Sequence, residues 1–102
     1  MTRELSGGKP ITPGYDEIDP ATGQQRGYVV LTPEERAKGF VRPVRRDYVH
    51  RTCGVRTVMS QDIAETFARD PKFYSGTFCV GCRKHLPLAE FVWDGTNEVV
   101  GS

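Results

Sequence analysis

Cys79 and Cys82 stand three positions apart in the stretch "TFCVGCRKHLPLAEF", residues 77–91, and a second segment repeats their spacing. "HRTCG" holds His50 and Cys53 with two residues between them, followed by Gly54. A tight turn carrying two ligand side chains separated by two residues is a knuckle. It lets both side chains converge on one point while backbone N–H groups face the sulfurs. Two knuckles make a His-Cys₃ set, a closed tetrahedron with no open position for substrate. Zinc suits such a mixed N/S₃ set better than iron. The expected cofactor is therefore one structural zinc ion on His50, Cys53, Cys79 and Cys82. His85, three residues after Cys82, is the alternative fourth ligand. His50 is preferred because its pair repeats the Cys79–Cys82 spacing.

Two other readings compete. Two unliganded core cysteines would also give C-x-x-C. A thioredoxin-like redox pair would need a helix starting at the first cysteine within a βαβ unit, and this segment meets Pro87 instead. Three cysteines leave a disulfide scheme incomplete.

The rest of the chain explains why a staple is needed. It has 102 residues, 37% hydrophobic, with 18 glycines and prolines together. A chain of that size buries a modest core and usually needs a disulfide, a metal or a partner. The opening "MTRELSGGKPITPGYDE" lacks the apolar run of a signal peptide, and no stretch approaches a membrane-spanning length. A cytoplasmic protein with reduced thiols and no membrane partner is the expectation.

Residues 1–27 contain five glycines, three prolines and few apolar residues without period, which predicts a flexible N-terminal arm. The expected module is residues 28–102. A short strand is expected at Tyr28–Leu31. Thr32, Pro33 and Glu35 then read as a capping box opening a short helix to Lys38, with Gly39 after it. That helix is too short to be stable unless docked. "FVRPVRRDYVHRTCG" reads as extended chain and "VRTVM" as a strand. Ser60 caps the main helix, "QDIAETFARD", with Ile63, Ala64, Phe67 and Ala68 on one face. Pro71 ends it. Asp94-Gly95 between apolar runs signals a C-terminal hairpin. The predicted fold is α+β: a small zinc-stapled, zinc-ribbon or treble-clef-like module with one main helix, short strands and a core of Ile63, Phe67, Phe78, Phe91 and Trp93.

Charge is uneven. Residues 1–35 carry net −3, residues 36–58 net +6, and residues 59–102 net −2. Arg42, Arg45, Arg46, Arg51 and Arg56, interleaved with Phe40 and Tyr48, could contact phosphates while the aromatics stack on bases. Alternatively these arginines form a solvated face or pair with Asp16, Glu17 and Asp19. The overall charge of +1 is low for a strong nucleic-acid binder.

"LTPEERAKGFVRPVRRDYVH", "AETFARDPKFYSGTFCVGC" and "HLPLAEFVWDGTNEVVGS" together resemble a group of small proteins encoded by tailed bacteriophages and prophages. Members of that group carry a longer segment between the Tyr-Val-His and Cys-Gly elements. Here only Arg51 and Thr52 separate His50 from Cys53, which is what makes the His-x-x-Cys turn possible. Locally, "CVGCRKHLPLAEF" is similar to the C-x-x-C…Pro-Leu-x-x-Phe knuckle of treble-clef zinc modules, including those attached to phage HNH endonucleases. The resemblance implies origin in a bacterial host cell and metal binding, and no mechanism. An HNH site needs a general-base histidine beside further ligands for a catalytic ion, and no Asp-His pair occurs here. The reading is a non-enzymatic interaction module docking on a host or phage protein, with nucleic acid as the alternative partner.

Overall fold

The computed structural model describes residues 2–102. Among these residues, seven short strands, one main helix and one helical turn make a mixed fold of helix and strand. The strands are β1 (Arg3–Leu5), β2 (Val29–Leu31), β3 (Asp47–His50), β4 (Arg56–Val58), β5 (Gly76–Cys79), β6 (Lys84–Pro87) and β7 (Phe91–Trp93). The turn α1 is Pro33–Arg36, the main helix α2 is Gln61–Arg69, and a 3₁₀ turn at Leu88–Glu90 leads into β7. They form three small antiparallel sheets: β1-β2, β4-β3-β7 and β5-β6. Among the described residues no helix is long and apolar enough to cross a membrane.

The core sits between α2 and the three-stranded sheet. Alternation along β3 turns Tyr48 and His50 inward, and along β7 Phe91 and Trp93. Tyr48 meets Phe91 and Trp93 edge-on, at 5.5 and 6.4 Å between ring centroids, and Phe67 of α2 meets Trp93 at 5.7 Å. Edge-to-face pairs at such distances favour the ring quadrupoles beyond simple burial. Ala64, Phe67 and Ala68 are buried as the helical spacing predicts; Ile63 is only half-buried. Thr66 is buried too. Its hydroxyl donates to the Asp62 carbonyl and accepts the Leu31 N–H, tying α2 to β2.

Both expected helix caps sit in the right place with the wrong bonds. Thr32 and Ser60 have the extended backbone of N-cap residues, but neither side chain caps its helix. The Thr32 hydroxyl pairs with that of Thr2, and Ser60 Oγ donates to Asp62 at 2.6 Å. Glu35 holds Lys38 instead of closing a capping box. α1 is docked through Arg36, which reaches Glu65 at 2.6 Å and the Leu31 carbonyl at 2.9 Å. The C-terminal hairpin is present with a longer loop, residues 94–97. Trp93 and Glu98 share a backbone bond, and the return arm makes one bridge, Val92 to Val99.

The separate N-terminal arm expected for residues 1–27 needs correction over residues 2–27. β1 pairs with β2 across the supposed boundary, Arg3 opposite Leu31 and Leu5 opposite Val29. Ser6 Oγ and the Gly7 N–H both donate to the Asp62 carboxylate. Further along, Arg83 donates to the Ala21 carbonyl. The Gly23 backbone passes so close to Arg83 that a Cβ there would lie 2.0 Å from its carbonyl oxygen. This segment lacks apolar periodicity because long-range backbone pairing and polar side chains hold it, not a buried apolar face of its own.

Candidate metal centre

Each ligand pair occupies the turn of an antiparallel hairpin. His50 closes β3, and the chain turns through Cys53 into β4; Cys79 closes β5, and the chain turns through Cys82 into β6. The two turns match bond for bond. Gly54 N–H donates to the His50 carbonyl at 2.7 Å, and Arg83 N–H donates to the Cys79 carbonyl, also at 2.7 Å. Both donors have left-handed backbone, φ 74° at Gly54 and 58° at Arg83. The Cys82 N–H also points at Cys79 Sγ, 3.4 Å away.

The intervening 25 residues form β4, α2 and β5, bringing the turns together. One ligand atom from each of His50, Cys53, Cys79 and Cys82 lies within 4.8 Å of all the others. His50 Nδ1 is 3.2 Å from Cys53 Sγ and 3.5 Å from Cys82 Sγ, and Cys53 Sγ is 3.6 Å from Cys79 Sγ. Ordinary zinc bond lengths in a tetrahedron separate two sulfurs by about 3.8 Å and sulfur from nitrogen by about 3.6 Å. These three spacings fall about 0.1–0.4 Å short of those values, and the whole group is compact enough to hold one metal ion.

The other face of the imidazole is also occupied. His50 Nε2 lies 2.8 Å from Glu90 Oε1. With Nε2 donating its proton there, Nδ1 presents a lone pair to the thiols, the arrangement that orients metal-bound histidines. Phe91 backs the ring at 4.9 Å between centroids. Sequence reasoning missed Glu90 because no motif spacing links residue 90 to residue 50. The β3–β7 register, with His50 opposite Phe91, puts them side by side.

Proton affinities within the group diverge. The Val55 backbone N–H, helped by His50 and the other thiols, pulls Cys53 down to about 7. Burial, with Cys79 and Cys53 nearby, pushes Cys82 up to about 11. The Glu90 hydrogen bond raises His50 above its ordinary value, against its burial. Three crowded thiols cannot all ionise cheaply by themselves; a divalent cation among them reverses that balance.

His85 is elsewhere. Its Nε2 is 2.8 Å from the Tyr28 hydroxyl, and its ring packs near Phe78. Its burial lowers its proton affinity.

The basic segment is not a free cationic strip. Arg45 pairs with Glu98 at 2.7 Å and lies over the Trp93 ring. Arg56 lies between Asp47 and Asp94. Arg46 donates to the Met59 carbonyl, and Arg42 to the carbonyls of Ser102 and Val41. Of these five arginines, only the Arg51 side chain has no partner of this kind among the described residues. The arginines' acidic partners are not the N-terminal ones considered from sequence, since Glu17 pairs with Arg26. Tyr48, a candidate for stacking on bases, is buried and donates its hydroxyl hydrogen to the Phe78 carbonyl. Phe40 remains exposed.

Comparison with family models, with curated proteins and with solved structures finds no match for this chain.

Proposed function

We propose that the chain is a non-enzymatic zinc-binding interaction module. One zinc ion on His50, Cys53, Cys79 and Cys82 clamps two knuckle hairpins into a zinc-ribbon-like unit, and the clamped surface docks on a protein partner. Following the resemblance to phage and prophage proteins, that partner is a host or phage protein. The observation that carries this reading is the matched pair of turns, with four ligand atoms all within 4.8 Å of one another. An N/S₃ donor set selects zinc over harder cations. Four protein ligands leave no position for substrate, which favours a structural role for the metal.

The surface around the knuckles supports protein over nucleic acid. Val55 and Val80 flank the site and are 38% and 49% exposed. Val55 lies against Gly81 of the opposite turn, so the two knuckle tips form one small apolar surface. Four of the five arginines invoked for nucleic-acid binding already have acceptors within the chain.

The test has two arms. Native mass spectrometry of the purified chain should show one zinc, lost on denaturation with three thiols then reactive. No metal, or zinc lost with His85→Ala and kept with His50→Ala, overturns the ligand set. Tagged protein should then capture a partner from host lysate whether or not nuclease is added. Val55→Asp combined with Val80→Asp should abolish capture while zinc is retained. Nuclease-sensitive capture would instead favour nucleic acid.

A further inference from the structure

A second feature lies away from the metal and needs no protein partner. Between the N-terminal segment and the β5-β6 hairpin runs a cleft of about 340 Å³, within the range of small-ligand sites. Half of its lining residues carry aromatic rings: Tyr15 and Tyr28 from the N-terminal segment, and Phe73, Tyr74 and His85 from the later one. Arg3 lies at the same cleft, its guanidinium carbon 4.9 Å from the centre of the Phe73 ring. Among the described residues no carboxylate lines the cleft, and Arg3 makes no ion pair.

Several of these groups are held in place. Tyr74 donates its hydroxyl hydrogen to the Val29 carbonyl at 2.6 Å and packs its ring on Phe67 and Phe73, both at 4.8 Å. The Tyr28 hydroxyl is fixed between His85 Nε2 and the Gln25 N–H. The Gln25 side-chain amide donates one N–H to the Gly27 carbonyl, and its Oε1 has no donor among the described residues; Gln25 lines the cleft. His85 likewise keeps Nδ1 without a partner. The cleft therefore offers ring faces, one unpaired guanidinium and two polar atoms able to meet the edge of a flat ligand.

We propose that this cleft binds a nucleoside monophosphate, its base against the tyrosine and phenylalanine rings and its phosphate on Arg3. Stacking on aromatic side chains accepts any base, because every base has a π-face. A guanidinium presents a planar fork of donors matched to phosphate. A longer strand would require a run of cations along its backbone, and this cleft supplies one. The site exists only because residues 3–29 pack against residues 73–85, which gives the docked N-terminal segment a purpose beyond covering the core.

The zinc-loaded full chain should be titrated with AMP, GMP, CMP and UMP, following cleft resonances by NMR and heats by calorimetry. Adenosine, inorganic phosphate and a short single-stranded oligonucleotide serve as further probes. At least one monophosphate should bind saturably, more tightly than adenosine or phosphate alone. Arg3→Ala should reduce the monophosphate to the affinity of the nucleoside and leave adenosine unchanged. Phe73→Leu, which keeps bulk and removes the ring, should weaken both by about fivefold or more. Zinc content and the dispersion of core resonances should be unchanged in both variants, which separates failure of this site from failure of the metal reading. No saturable shift with any monophosphate overturns the proposal. So does binding insensitive to both variants, or binding of the oligonucleotide alone.

Discussion

Gly54 and Arg83 occupy the same place in the two ligand turns: each has left-handed backbone and donates its N–H at 2.7 Å to the carbonyl of the first ligand, His50 or Cys79. Glycine adopts that conformation freely, whereas a residue with a Cβ pays roughly 1–2 kcal/mol. Nothing lies within 4 Å of a Cβ built on Gly54, so Gly54→Ala should cost about 1 kcal/mol through backbone alone. Arg83→Gly should relieve a similar strain in the second turn and lose the side-chain bond to the Ala21 carbonyl. Zinc affinity should fall in the first variant and hold or rise in the second. Chelator competition measures both, and equal loss in the two would refute the equivalence of the turns.

Much of this arrangement is legible from local spacing. The two turns, the α2 face and the Asp94-Gly95 hairpin all follow from patterns within a dozen residues, though the hairpin loop is longer than that dipeptide and Ile63 is only half-buried. What sequence reasoning missed depends on register between distant strands. Glu90 reaches His50 only because β7 lies beside β3, and the N-terminal segment docks through the pairing of β1 with β2 and contacts to Asp62 and Arg83. The arginines show the same limit from the other side. Their spacing suggested a cationic strip, but the partners that engage most of them, Glu98, Asp94 and the Met59 carbonyl, come from elsewhere in the chain.

Glu90 is expected to tune the metal without touching it. Replacing it with alanine leaves the His50 Nε2 proton unpartnered and frees the ring to rotate. Loss of such a partner typically lowers metal affinity about 10–100-fold. Glu90→Gln keeps an acceptor without the charge and should fall between. The fold at saturating zinc should survive in both, as judged by the near-ultraviolet dichroism of Trp93. Unchanged affinity in Glu90→Ala would leave the 2.8 Å contact without a role at the metal.

Stripping the metal should unfold the module cooperatively. Cys79 and Phe91 are fully buried and belong to the same packed cluster as Trp93. Loss of the clamp should therefore open the core as well as the turns. In many small metallo-domains metal binding and folding are one equilibrium. Excess chelator should abolish the Trp93 dichroic signal, and zinc should restore it. A signal that persists in chelator would mean that the aromatic core stands by itself.

The N-terminal segment should release on acidification, with Asp62 as the group that titrates. Burial raises the proton affinity of this carboxyl, but hydrogen bonds from Ser60, the Gly7 N–H, Ser6 and the Ile63 N–H outweigh it. The net shift is below the ordinary value near 3.8. A lowered folded value means that the folded state binds its proton less readily than the unfolded one, so stability falls wherever the unfolded state takes up more protons. The contribution is full above the ordinary aspartate range and is lost as pH drops through the lowered value. Acid would also release a zinc ion held by these ligands, which must stay deprotonated to bind it. The neutral-pH comparison is therefore the cleaner one. At pH 7, Asp62→Ala should speed hydrogen exchange at Leu5, Ser6 and Gly7 while leaving exchange in β3 and β7 unchanged. Gly23→Ala, whose Cβ would meet the Arg83 carbonyl oxygen at 2.0 Å, should loosen residues 21–25 instead. If neither substitution changes exchange in residues 2–27, the contacts seen at Asp62 and Arg83 do not hold this segment to the module.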